Sequence, residues 1–186
     1  MSASYYMACL NLRDRRCVVV GGGSVGLEKT RGLLACGAEV TVVSPEVHDE
    51  LAALDVTVLR RRYRRGDLRR AFLVIAATSD RAVNERVHRD AEERGMLCNV
   101  ADVPDLCNFI LPAVHREGPI AVAVSTGGAS PALAKRIRDD VAATLTPEHA
   151  ELAQRLQELR PWAKQHYPSY EERRDFFENL VEEALT

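Results

Sequence analysis

The stretch Val18-Val19-Val20-Gly21-Gly22-Gly23-Ser24-Val25-Gly26 decides the fold of this chain. The three valines predict a short buried strand, and the sequence from Ser24 onward has a helical pattern. Between them, Gly21, Gly23 and Gly26 have G-x-G-x-x-G spacing. In such a turn the first glycine allows the bend, the second lets a pyrophosphate approach and the third lets helix and strand pack closely. A nucleotide site is therefore expected here; the alternative is a glycine-rich turn that only packs a helix on a sheet.

The composition is that of one globular domain, alone or with a smaller appendage. The chain has 186 residues, 46% of them hydrophobic, and a net charge of −2, which gives no global support to a nucleic-acid partner. Five cysteines without a C-x-x-C pair are typical of reduced thiols in the cytoplasm. No apolar run approaches the ~20 residues that span a bilayer, and no secretory signal begins the sequence, so we expect no membrane partner.

The first part of the chain alternates strand and helix patterns. Strands are predicted at 18–20, 40–43, 56–59, 72–77 and 96–100, with helices at 24–36, 46–54 and 81–94. This alternation predicts an α/β fold, a Rossmann-type doubly wound parallel sheet with strand order 3-2-1-4-5.

The pattern changes after residue 105. Two more strands are predicted at 109–111 and 120–124, with Gly118-Pro119 between them. Ser130 and Pro131 are placed as N-cap and first residue of a helix. From 146 onward the chain is helical and mostly acidic. The predicted divisions are a nucleotide-binding domain at 1–105, a middle segment at 106–145 and a small helical domain at 146–186.

The predicted nucleotide site draws on three loops. The second strand ends at Ser44, Pro45 and Glu46, where an acidic residue would bind the adenosine ribose. No Arg or Lys stands beside Glu46 in the sequence, which favours NAD over NADP; Glu46 could equally be a helix N-terminal residue. Thr78 and Ser79 follow the fourth strand and either contact the cofactor or only cap a turn. The expected cofactor-binding residues are Gly21, Gly22, Gly23, Ser24, Val25, Ser44, Pro45, Glu46 and Thr78.

A carboxylate follows the fifth strand. That strand ends near Asn99, for which we expect a substrate contact, and Asp102 comes three residues later, above the predicted sheet. A carboxylate at this place could take a proton from a substrate that loses hydride to NAD⁺. It could also bind a metal ion transiently or accept an N–H bond, and the alternative is an ordinary turn aspartate.

Three further features have open interpretations. The segment Ser125–Pro131, with Ser125, Thr126, Gly127 and Gly128, either binds a substrate carboxylate or is a flexible connection. His115 is expected between the two late strands and is most simply a packing residue. Seven arginines between 60 and 70 form either a solvated face or a surface that steers an anionic substrate.

Five ordered motifs resemble the siroheme synthase dehydrogenase/ferrochelatase family. They lie at residues 18–25 with Lys29, 74–80 with Asn84, 99–102, 109–113 and 125–134. The resemblance implies NAD-dependent oxidation of precorrin-2 to sirohydrochlorin and, in some members, insertion of Fe²⁺. It also implies a homodimer formed through about 106–145, and it places Asp102 on the family's key aspartate. A family serine that can be phosphorylated falls on Thr126, so a hydroxyl remains there.

Two other functions are compatible with parts of the sequence. A non-catalytic NAD-sensing module would need the glycine loop but neither Asp102 nor Ser125–Pro131. An NAD-dependent reductase of small ketones or acids would need a Tyr-x-x-x-Lys pair or a placed catalytic histidine, which the sequence lacks.

Overall fold

The computed structural model describes residues 5–185. The chain divides into two compact units after Ile110. The first unit is a five-stranded sheet with helices, and the second is a β-hairpin followed by three helices.

The sheet of the first unit is entirely parallel. Its elements are β1 (Arg16–Val20), α1 (Ser24–Leu34), β2 (Glu39–Val43), α2 (Asp49–Ala52), β3 (Thr57–Leu59), β4 (Leu73–Ala76), α3 (Arg81–Glu92) and β5 (Leu97–Val100). The strand order is β3-β2-β1-β4-β5, which confirms the predicted doubly wound topology.

The core of this unit lies on both faces of the sheet. Along β1, Val18 and Val20 pack on the face that carries α3, whereas Cys17 and Val19 pack on the face that carries α1. All four side chains are almost completely buried. Continuous apolar runs are the expected sequence of strands covered on both sides, since successive side chains alternate between the two faces.

The helix after β2 is shorter than predicted. We expected a helix over 46–54, but α2 has only four residues, with His48 as its N-cap. Residues 44–47 pack instead against Gly22, and the His48 N–H donates to the Gly22 carbonyl oxygen over 2.8 Å. Glu46 therefore precedes the helix and is not one of its N-terminal residues.

The second unit begins with an antiparallel hairpin. Its elements are β6 (Ala113–Glu117), β7 (Ile120–Val124), α4 (Pro131–Ala142), α5 (Pro147–His166) and α6 (Tyr170–Leu185). Gly118, with φ of +53°, and Pro119 form the two-residue turn between the strands. Ser130 is the N-cap of α4 as predicted, since its hydroxyl accepts the Leu133 N–H over 3.2 Å.

The strand predicted at 109–111 is wrong. Phe109 belongs to the core of the first unit, and its neighbour Asn108 binds the β5 backbone at Cys98 through both its N–H and its side chain. Pro112 has no N–H to donate to a ladder. The strand starts at Ala113, so His115 lies within β6, opposite Val122, and not between the strands.

The helices of the second unit follow the prediction from 146 onward, with a break at 167–169. Trp162, Tyr167 and Phe176 form an aromatic cluster at this break, with ring centroids 5.1–6.0 Å apart. Among the described residues, no helix is both long and apolar enough to cross a membrane.

Candidate functional site

The glycine turn after β1 is shaped by backbone contacts. Gly21 has a φ of +123°, and a Cβ there would lie 2.3 Å from the carbonyl oxygen of Ala77, at the end of β4. A Cβ at Gly26 would lie 2.2 Å from the Gly21 carbonyl oxygen. Because real Cβ contacts are never so short, both positions require glycine, and the helix starts directly on the turn.

Gly22 and Gly23 face different surroundings. A Cβ at Gly22 would lie 2.2 Å from the Glu46 carbonyl oxygen, so Gly22 is needed for contact with the loop after β2. A Cβ at Gly23 would meet no atom within 4 Å. Gly23 is the N-cap of α1 and supplies no capping side chain, which leaves the first N–H groups of the helix at Ser24 and Val25 open to a ligand. This geometry fits a pyrophosphate.

The loop after β2 carries the predicted ribose-binding residues. Ser44 is buried, whereas Pro45 and Glu46 are exposed. The Ser44 N–H donates to the Leu59 carbonyl oxygen over 3.2 Å, which places Arg60, the residue after β3, beside this loop. No cation stands beside Glu46 along the chain, but the pairing of β3 with β2 places Arg60 next to the loop that carries Glu46.

Thr78 after β4 is engaged in a turn. Its hydroxyl lies 2.8 Å from Asn84 Oδ1, and the Asn84 amide donates to the Thr78 carbonyl oxygen over 2.9 Å. Asp80 caps α3 by accepting the Val83 N–H over 3.2 Å. Asn84 is buried and holds the loop after β4, a role that the sequence alone did not indicate. Ser79 is exposed. The cofactor contact of Thr78 remains a prediction.

Asp102 lies in the loop after β5. Its backbone is left-handed, with a φ of +60°, a conformation that aspartate tolerates better than most residues. Its side chain is exposed and makes no hydrogen bond or ion pair with residues 5–185. A carboxylate held without a partner at the carboxyl edge of the sheet is free to act on a ligand.

A network of side chains fixes the loop that carries Asp102. The Cys107 thiol donates to the carbonyl oxygens of Val100 and Val103 over 3.2 and 3.3 Å, and its sulfur accepts the Val100 N–H over 3.2 Å. Burial raises the pKa of Cys107, partly offset by the hydrogen bond from Val100, so the thiol keeps its proton for donation. These bonds join Val100, where the loop begins, to Cys107, where it ends.

Asn99 takes part in the same network. Its side chain is buried, and its amide donates to the Phe109 carbonyl oxygen over 3.0 Å. These contacts are internal and hold the segment that follows the loop. The predicted substrate contact of Asn99 is not among them. The contacts of Asn99, Cys107 and Asn108 could not be predicted from the sequence, because most of their partners are backbone atoms that only the folded chain brings together.

The loop Ser125–Pro131 belongs to the second unit. The Thr126 hydroxyl accepts the Ser130 N–H over 2.9 Å and donates to the Ser130 carbonyl oxygen over 3.1 Å, while Ser125 Oγ accepts the Gly127 N–H over 3.1 Å. Gly127 and Gly128 both have positive φ, +63° and +88°. The loop is therefore an ordered turn, and it leaves the Gly128 N–H without a partner among the described residues.

Three family models match successive parts of the chain. A model described as putative NAD(P)-binding matches residues 8–113, and one described as the sirohaem biosynthesis protein central region matches 117–144. The sirohaem synthase dimerisation region matches 148–186. The solved structure of SirC, a precorrin-2 dehydrogenase, superposes with a TM-score of 0.79 and 31% identity over 95% of this chain and 89% of SirC. The chain belongs to the siroheme synthase and precorrin-2 dehydrogenase family.

Curated siroheme synthases are similar in sequence over most of this chain. The siroheme synthase of Nitrosomonas eutropha is 39% identical over 183 residues, and that of Pseudomonas entomophila is 42% identical over 175 residues. These matches cover 96% and 92% of this chain but 38% of each relative, so the chain spans about two fifths of their length. The match of residues 8–113 to the NAD(P)-binding model shows that the cofactor of the first unit is a nicotinamide dinucleotide.

Proposed function

We propose that the chain catalyses the NAD-dependent dehydrogenation of precorrin-2 to sirohydrochlorin in siroheme biosynthesis. The observation that carries the proposal is the pairing of an open glycine turn after β1 with an unpartnered Asp102 after β5. Only β4 separates these strands, which puts the two loops roughly 10 Å apart along one sheet edge. SirC, whose name includes precorrin-2 dehydrogenase, is similar over 89% of its length.

The first unit would hold the dinucleotide by its backbone. The N–H groups at Ser24 and Val25, with the positive end of the α1 dipole, would bind the pyrophosphate, and Glu46 would bind the adenosine ribose. When bound, the nicotinamide supplies a hydride acceptor. The Asp102 carboxylate oxygens would take the proton that the macrocycle loses as it is oxidised, acting as general base.

The turn in the second unit would bind the substrate. Precorrin-2 carries several carboxylates, and the Gly128 N–H is available to one of them. The Ser125 and Thr126 hydroxyls hold the turn in shape, and modification of Thr126 would require its contacts with Ser130 to break. We keep Ser125–Gly128 as the proposed substrate residues.

We propose that the protein is a homodimer whose subunits contact each other through the second unit. We also propose that residues 1–105 bind the cofactor, that 106–145 contribute to substrate binding and to the dimer, and that 146–186 form a small helical domain. A cytoplasmic location is proposed from the odd number of cysteines without a C-x-x-C pair.

Insertion of Fe²⁺ stays a secondary proposal. Within residues 5–185 no three metal-ligating side chains cluster, so Asp102 would have to act with the macrocycle nitrogens themselves.

The deciding experiment measures NADH formation from NAD⁺ and precorrin-2 under anaerobic conditions. Asp102→Asn keeps a residue that tolerates positive φ and removes the base, so the rate should fall by about 10²–10⁴-fold with unchanged NAD⁺ affinity. Asp105→Asn, an exposed neighbour in the same loop, is the control. A wild-type protein that binds NAD⁺ but never forms NADH would instead be the sensing module.

The choice of NAD over NADP has its own test. Glu46 should repel a 2′-phosphate, whereas Arg60 beside the same loop would attract one. We expect tighter binding of NAD⁺ than of NADP⁺ and loss of that preference in Glu46→Gln. Tighter NADP⁺ binding that Arg60→Gln abolishes would assign the site to NADP.

A further inference from the structure

The arginine run between 60 and 70 divides into two groups. Arg61 makes two hydrogen bonds to the Asp67 carboxylate, over 2.9 and 2.6 Å, and Arg65 contacts Glu93 over 2.5 Å. The remaining five make no ion pair with an acidic side chain among residues 5–185: Arg60, Arg62, Arg64, Arg69 and Arg70. The run is thus not a uniform solvated face, since part of it is structural and part is left uncompensated.

Two of the uncompensated arginines line a cavity. Arg69 and Arg70, with Arg16 and Gly66, line a cavity of about 530 Å³ that is open to solvent. Arg16 makes no ion pair within 4 Å among the described residues, although its charge helps to lower the pKa of nearby Asp67, and its guanidinium donates to the Arg69 carbonyl oxygen over 2.5 Å. Three arginines therefore line one cavity, and no carboxylate is among its lining residues; the nearest acidic residue in the chain, Asp67, is buried and paired with Arg61.

The backbone that presents these arginines is firmly held. Arg69 and Arg70 follow a short 3-10 turn at Arg65–Leu68, in which Asp67 and Leu68 are buried, and Arg16 is the first residue of β1. Arg70 has a left-handed φ of +60°, which a non-glycine residue adopts only where its surroundings impose it. The Ala71 N–H donates to the Leu68 carbonyl oxygen over 3.1 Å and fixes the exit of the turn. The arginines are presented by an ordered segment, not by a loose loop.

The cavity lies at the opposite edge of the sheet from the glycine turn. Arg16 begins β1, and the N–H of Phe72, the residue before β4, donates to its carbonyl oxygen over 2.7 Å. Gly21 follows the other end of β1, roughly 13–16 Å away for a strand of five residues. A small anion bound among the arginines cannot also contact the pyrophosphate site.

We propose that this cavity is a second anion site, which binds a small molecule carrying two or more phosphate or carboxylate groups. Guanidinium groups pair with both oxyanions through two parallel hydrogen bonds, and three of them match a ligand with several such groups. Pyrophosphate serves as the probe for phosphate groups, and benzenehexacarboxylate serves as the probe for carboxylate groups. The proposal does not depend on the proposed dehydrogenase activity.

Binding of each probe is measured by isothermal titration calorimetry on the full chain at low salt, with and without saturating NAD⁺. We expect at least one probe to bind with one equivalent that persists when NAD⁺ is saturating. Arg69→Gln and Arg70→Asn should each weaken binding at least tenfold; asparagine is chosen because it tolerates the left-handed backbone of Arg70. Which probe binds shows whether the ligand of this site carries phosphate or carboxylate groups.

Two further variants separate the cavity from general surface charge. Gly66→Leu keeps every charge but places a side chain where a Cβ meets no atom within 4 Å, so it should block binding by filling the space. Arg62→Gln removes an exposed arginine of the same run outside the cavity and should change affinity less than twofold. Equal loss in Arg62→Gln, displacement of the probe by NAD⁺, or no binding of either probe to the folded wild-type protein would overturn the proposal.

Discussion

The amide nitrogen of His48 donates to the carbonyl oxygen of Gly22 over 2.8 Å, which joins the glycine turn to the loop after β2. This bond and the close approach of Gly22 to Glu46 make the two loops one unit. The two segments that are predicted to bind the nucleotide are thus shaped by each other as well as by the sheet.

Adjacent glycines should respond differently to the same substitution. Gly22→Ala would force a Cβ against the Glu46 carbonyl oxygen, so thermal stability should fall by about 2 kcal/mol or more and NAD⁺ binding should fall with it. Gly23→Ala meets no protein atom, so stability should hold while NAD⁺ affinity falls at least tenfold, because the methyl group occupies the proposed pyrophosphate space. Thermal melts and NAD⁺ titrations check both; normal NAD⁺ affinity in Gly23→Ala would contradict this placement.

Removal of the Asn99 side chain should act on stability before it acts on substrate binding. Asn99→Ala loses the hydrogen bond to the Phe109 carbonyl oxygen and leaves that group unsatisfied, at a cost of about 1–3 kcal/mol. The loop with Asp102 should loosen, so kcat should fall more than KM rises. Chemical denaturation and steady-state kinetics measure this. A raised KM at unchanged stability would show that Asn99 contacts the substrate directly, as the sequence predicted.

The apolar stripe of α4 should be covered in the assembled protein. Leu133 and Ile137 are 51% and 39% exposed, although they share one helix face with Val141. Ile137→Asp should shift the protein from dimer to monomer in light scattering, since a charge cannot be buried there without a partner. Lys135→Asp places the same group about 200° around the helix and should leave the dimer intact. A dimer that survives Ile137→Asp would place the contact elsewhere, such as the matched region 148–186.

Acid should remove one local contribution to stability. Burial tends to raise the pKa of Asp67, but hydrogen bonds from Arg61 and from the Arg64 N–H outweigh it, and the pKa lies below its usual value. A lowered folded-state pKa stabilises the fold at pH above the unfolded value of about 3.9, and the stabilisation is lost as pH falls through the folded value. Asp67→Asn should therefore be less stable than wild type at pH 7, by about 1–2 kcal/mol, and the difference should shrink below pH 4. A difference that is constant from pH 7 to pH 3 would contradict this ion pair.

Local sequence patterns were sufficient for the Rossmann sheet. The valine run Val18–Val20 and the β-branched run Val40–Val43 specify doubly covered strands, and the caps at Asp80 and Ser130 lie where the sequence predicted. These features depend on near neighbours in the chain, which periodicity and capping rules describe. The same reasoning failed at 109–111, because an apolar run can fill a core without joining a ladder, and the bonds that decide the matter come from Asn99 and Asn108.

The sequence by itself determined the glycine turn, the strand order, the presence of a carboxylate at Asp102 and the family resemblance. The tertiary structure decided what each group touches: Asn99 and Cys107 hold the loop after β5, Thr78 bonds to Asn84, and Arg60 lies next to the loop after β2. It also separated the paired arginines of the run from those that line the cavity with Arg16. The physical reason is that hydrogen bonds and ion pairs of side chains join residues far apart in sequence, and only the folded sheet brings those partners together.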